Sequence, residues 1–140
     1  MFKRMVFVLL LVTLILTACS SGSQPAPATG SAENGKALFN KATIGKAGAP
    51  GCATCHSVEK DKKIVGPSQY GIATDAAGAF KEAGYKGAAK SANEWLRECI
   101  VNPNVDIVEG FTPNIMPQNY GKDLTEGEIN DLVAYLATLK

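Results

Sequence analysis

Apolar residues in this chain fall into two kinds of run, separated by long stretches with neither. The first run is continuous. Met5 to Leu16 is apolar apart from Thr13, with Lys3 and Arg4 before it. Roughly a dozen residues fall short of the ~20 that span a bilayer and fit the apolar part of an export signal. The second kind is periodic. Ile129, Leu132, Val133, Leu136 and Leu139 share one helical face, with Tyr135 beside it. Thr125 and Glu128, three apart, form a capping-box signature at the start of that helix, and Lys140 suits its dipole at the other end. The same signature, Ser91 with Glu94, opens a helix through Trp95, Leu96, Arg97, Cys99 and Ile100. Asn102-Pro103 stops it. Trp95, Cys99 and Ile100 lie on one face, which makes Cys99 a small core residue. A shorter helix is predicted over 32–40, capped by Ser31 and ending on Leu38 and Phe39.

Between these elements the pattern fails. Residues 41–50 are small and glycine-rich and read as a loop. Glu59-Lys60-Asp61-Lys62-Lys63 reads as a solvated, charged loop. The Ala/Gly-rich stretch 70–90 predicts one short helix about 76–83, with Tyr70 and Tyr85 in ordinary packing. Residues 105–120 form a polar loop holding Phe111 and Met116, with Pro113 and Pro117 flanking the methionine. Ser20 to Ser31 has no large apolar side chain and reads as a flexible linker, reaching ~20 Å as a coil.

The 140 residues allow one modest domain. Formal charge is +1; without Lys3 and Arg4, 12 basic residues face 13 acidic ones. That balance excludes a nucleic-acid binder, which carries a strong basic excess. Four cysteines invite a reading as two disulfides, but their settings differ too much for that.

Cys52-Ala53-Thr54-Cys55-His56 changes the picture most. Two cysteines two residues apart, followed at once by histidine, is the attachment pattern for a c-type haem. The thiols add to the two vinyl groups on one porphyrin edge, and the next residue then lies under the ring with its imidazole toward the iron. A thioredoxin-like pair would not need His56 and would sit in a βαβ pattern that is missing here. A zinc site needs about four ligands, and this run supplies three. His56 is the one histidine of the chain, so bis-histidine ligation within it is excluded. The second axial ligand is then Met116, an amine, or nothing. Met116 is the single methionine after the apolar N-terminal run, and it lies in a proline-flanked loop rather than on an amphipathic stripe. Both facts favour Met116.

Residues 32–140 thereby resemble the class I c-type cytochromes. Gly35 and Phe39 match the glycine and aromatic of that family's N-terminal helix, and Tyr135 matches the aromatic of its C-terminal helix. The resemblance implies an all-α fold in which those two helices cross beside one covalent haem c. It implies attachment at Cys52 and Cys55, axial ligands His56 and Met116, and a Pro67 carbonyl that accepts the imidazole N–H. Trp95 is expected against the haem or near a propionate. The stretch between Phe39 and Cys52 is longer than in the smallest members. A second resemblance concerns Leu16-Thr17-Ala18-Cys19, which looks like the lipobox of bacterial lipoproteins. It implies a signal peptide over 1–18, a lipidated linker over 19–31, and lipid on Cys19 holding the domain to the outer, periplasmic face of the cell membrane.

The expected function is one-electron transfer to redox partner proteins, in respiration or photosynthesis, and not enzymatic turnover. Two rivals stand beside it: a permanent monohaem subunit of a quinol-oxidising assembly such as alternative complex III, and a peroxidase or gas sensor whose iron keeps an open position.

Overall fold

The computed structural model describes residues 30–140; the expected signal segment and Cys19 lie outside them. Among the described residues the fold is mostly helical, with five α-helices and one two-stranded ribbon: α1 (Ala32–Phe39), β1 (Thr43–Ile44), β2 (Ala49–Pro50), α2 (Ile72–Ala79), α3 (Ala92–Val101), α4 (Tyr120–Asp123) and α5 (Glu126–Leu136). None of these helices is long and apolar enough to cross a membrane.

The first and last helices form the most extensive packing pair. Ser31 caps α1 by accepting the Asn34 N–H, and its own N–H reaches Asp131 Oδ1 on α5 at 2.6 Å. Gly35 makes the close approach feasible. A Cβ there would stand 1.9 Å from the Asp131 carbonyl oxygen and 2.8 Å from Tyr135 Cβ. Phe39 and Tyr135 then meet edge to face, their ring centroids 5.4 Å apart. The periodic face of α5 is buried as the spacing predicts, with Ile129 and Leu132 fully enclosed. Leu139 lies past the end of that helix and is only half-buried; its carbonyl accepts the Ala73 N–H of α2 at 3.0 Å.

The capping boxes divide. At α5 both halves are present: Thr125 Oγ1 accepts the Glu128 N–H, and the Glu128 carboxylate accepts the Thr125 N–H at 2.8 Å. At α3 only half forms. Ser91 accepts the Glu94 N–H, but the Glu94 carboxylate reaches one residue further back, to the Lys90 N–H at 2.7 Å. An exposed ion pair from Arg97 to Glu126, 2.6 Å, joins α3 to the start of α5 and adds at most about 1 kcal/mol.

Three elements differ from the sequence-based expectation. Residues 41–50 are not a plain loop: Thr43 pairs with Pro50 and Ile44 with Ala49, across a turn whose Gly45 and Gly48 both adopt positive φ, 72° and 68°. The middle helix runs over Ile72–Ala79, about four residues earlier than expected. Gly71, at φ 76°, sets its start, and Ala76 supplies its fully buried contact. The end of the expected 105–120 loop turns helical at Tyr120.

Two measurements check this packing. Gly35→Ala gains about 1 kcal/mol of helix propensity but drives a methyl into backbone. It should lower stability by a net ~2 kcal/mol or more, read as a fall in denaturant midpoint at unchanged slope. Thr125→Ala should cost about 1 kcal/mol. The capping bonds hold the Glu128 carboxyl below its ordinary range. Its contribution is therefore present above that range and fades as pH falls through the lowered value. The stability gap between wild type and Thr125→Ala should shrink on acidification, leaving the part owed to the Glu128 N–H.

Candidate haem site

The Cys-x-x-Cys-His run is folded by its own backbone. Cys52–Thr54 forms a single 3-10 turn, with the Cys55 and His56 N–H groups both donating to the Cys52 carbonyl at 3.1 and 2.9 Å. Thr54 Oγ1 donates to the Gly51 carbonyl at 2.6 Å. On one side, the ribbon grips the run: the Gly51 N–H donates to Ala42, and a Cβ at Gly51 would lie 1.7 Å from the Lys41 carbonyl. On the other, the Val65 and Gly66 N–H groups both donate to the Cys55 carbonyl, at 3.2 and 2.9 Å.

That second grip orients the imidazole. A Cβ on Gly66 would lie 2.4 Å from His56 Cε1, so only glycine leaves the ring its place. His56 Nδ1 lies 2.8 Å from the Pro67 carbonyl. A carbonyl can only accept, so Nδ1 carries the proton. Burial lowers the His56 pKa and outweighs the opposing pull of the Pro67 bond. The ring is therefore neutral at neutral pH, with the lone pair on Nε2 free for a metal. Gln69 Nε2 lies 3.0 Å from Nδ1 and 3.4 Å from the same carbonyl. With Nδ1 donating, the amide becomes a second donor to Pro67.

Cys52, Cys55 and His56 face one large cavity that opens to solvent. Trp95, Leu96 and Ile100 of α3 and Leu136 of α5 line it, and Met116 and Phe111 reach it from the loop between α3 and α4. The walls are mostly apolar, two thiols stand at one side, and a neutral imidazole and a thioether are the soft donors present. These residues fit a covalently attached haem.

Each residue singled out in the sequence can now be placed. Cys52, Cys55, His56, Pro67, Trp95 and Met116 all line this one cavity. Cys52, Cys55 and Cys99 are unpaired thiols. Burial raises the Cys52 thiol to about 11. Trp95 is buried, and its indole N–H donates to Asp106 Oδ2 at 2.9 Å. Its one donor is thus engaged within the protein, and the ring serves as cavity wall. Cys99 is half-buried and lines the cavity rather than sitting wholly in the core; burial foremost, with Asp106 and Glu98, pushes its thiol up to about 12. Tyr85 donates to Glu98 and accepts the Ala89 N–H, away from the cavity lining, and Tyr70 is exposed. Gln69, Asn104, Asp106 and Tyr120 also line the cavity and went unnoticed in the sequence. Only Gln69, two residues past Pro67, carried a positional hint. Tyr120 fixes the ribbon to α4 by donating to the Pro50 carbonyl at 2.6 Å.

No curated protein matches this chain closely enough to be called a relative. The family model for cytochrome c matches residues 32–140, which covers the ribbon, all five helices and the cavity. The cytochrome c family binds covalent haem c and its iron and serves haem-based electron transfer, and this chain belongs to it.

Proposed function

We propose that this protein is a one-electron carrier whose haem is held through Cys52 and Cys55, with His56 and Met116 as its two axial ligands. When bound, haem c supplies the Fe(III)/Fe(II) couple. The residues of this chain do the rest. His56 offers Nε2 because Pro67 holds the Nδ1 proton. Met116 offers a soft thioether, which favours the reduced metal and raises the potential relative to a second histidine. With both positions taken, no site remains for a substrate, and outer-sphere electron exchange is what the site can do. Trp95, Leu96, Ile100 and Phe111 keep water from the cavity walls, which works in the same direction. Ala53 and Thr54, beside the attachment cysteines, mark the edge for electron entry and exit.

The observation that carries this reading is that a neutral, proton-committed imidazole and the single methionine of the described residues, distant in sequence, line one apolar cavity with the two thiols. On the same reading the lipobox-like Leu16-Thr17-Ala18-Cys19 gives a lipidated N-terminus at Cys19, and the linker lets the domain range over the outer face of the cytoplasmic membrane. Partners are then redox proteins at that surface, mobile or fixed in a membrane oxidoreductase complex.

Intact-mass measurement should show one haem added to a chain beginning at Cys19 with acyl chains attached; a mass without the haem on Cys52 and Cys55 removes the proposal. Met116→Ala should lower the midpoint potential by on the order of 0.1–0.2 V, a fraction of the ~0.8 V that axial ligands span. It should also let carbon monoxide bind rapidly to the reduced protein. A redox titration that leaves the potential unchanged places Met116 off the metal and favours the open-site reading.

A further inference from the structure

Met116 sits in a segment, residues 105–119, that contains no helix or strand. Pro113 and Pro117 stiffen it but remove two backbone donors, so side chains must close the loop. One residue does most of this. Asn104 follows the buried Pro103 at the end of α3. Its Nδ2 donates to Asn114 Oδ1 at 2.7 Å and to Gln118 Oε1 at 2.8 Å. Its Oδ1 accepts the Asn114 backbone N–H at 2.9 Å. Gln118 then donates through Nε2 to the Met116 carbonyl at 2.7 Å. Asn114 and Gln118 stand two residues before and two residues after Met116. The amides therefore form a clasp that closes the turn of chain bearing the thioether and fastens it to the core at Pro103. Asn114 takes a φ of 65°, a left-handed value that asparagine tolerates better than most residues.

We propose that Asn104 is a positioning residue for Met116: it holds the thioether on the metal by bridging the two limbs of its loop, without itself being a ligand. The proposal rests on Met116 being an axial ligand. Asparagine suits the task because one amide combines two donors with an acceptor. Aspartate keeps the bond from the Asn114 N–H and loses both donations. Alanine loses all three.

The test is imidazole binding to the ferric holoprotein. Added imidazole binds only the fraction of molecules in which Met116 has swung away, so its apparent affinity reports that fraction. Asn104→Ala should bind imidazole about tenfold more tightly than wild type, a change of ~1.4 kcal/mol, with haem loading unchanged. Asn104→Asp should fall between them and decides the matter if the alanine variant loads poorly. Adding Gln118→Ala to Asn104→Ala should bring little further gain, because both act through one network. Thr125→Ala, which removes the α5 cap and bonds to none of these amides, should leave imidazole affinity alone. Wild-type affinity in both Asn104 variants, in a protein whose ferric spectrum carries the thioether charge-transfer band, overturns the clasp. A wild-type protein without that band overturns the ligand assignment first and the clasp with it, so the two failures are distinguishable.

Discussion

The core of this protein and the wall of its cavity are made of the same side chains. Phe39, Trp95, Leu96, Ile100, Tyr120 and Leu136 are buried core residues, and each also lines the cavity. A chain of this size has little apolar surface to spare. It meets that constraint by packing one face of each contributing helix against its neighbours and turning the adjoining face toward the cavity. The positions of α3 and α5 are therefore fixed by two demands at once: contact with each other and a wall for the site. Gly35 settles the first. By letting α1 approach the α5 backbone directly, it sets where α5 lies, and so where Leu136 faces.

The attachment run answers the second demand with backbone bonds. The bonds that place His56 accept at main-chain atoms, the Cys52, Cys55 and Pro67 carbonyls, with the Gln69 side-chain amide beside Nδ1. Such bonds survive changes of side chain nearby, and they hold the ring in one tautomer. Gly51 and Gly66 are needed on the two flanks because backbone or ring atoms come within 2.5 Å of where a Cβ would sit. The two thiols and the proposed ligand His56 thus sit on a short piece of chain held by its own backbone bonds.

Legibility in the sequence followed range. Local chemistry was readable: the Cys-x-x-Cys-His run, the Ser31 and Thr125 caps, and the period of Ile129, Leu132 and Leu136 all depend on residues within a few positions of each other. The ribbon was not, because Thr43 and Ile44 are too short a run to show a period of two, and glycine-rich turns look like loops until they pair. The middle helix was misplaced because alanine and glycine carry no amphipathic signal; its start is set by the left-handed Gly71. Asn104 and Asp106 were invisible, and Gln69 nearly so, for another reason. A lone amide or carboxylate has no pattern, and its role exists only once folding brings Asn114, Trp95 or Pro67 within reach.

These two modes of construction give the proposed ligand pair unequal stiffness. The histidine side is half-buried and fastened by main-chain bonds, with the ribbon and the 64–67 turn closing around it. The methionine side depends on side-chain amides that remain partly open to water, in a segment without regular structure. A hydrogen bond exposed to solvent contributes little net free energy because water competes for both partners, and local opening begins where such bonds are concentrated. Any loss of ligation should therefore start at the thioether while the imidazole stays in place. Under the proposed ligation this ordering would serve an electron carrier: the covalent bonds and His56 would retain the haem through such an opening, so the sulfur could leave and return without the cofactor being lost.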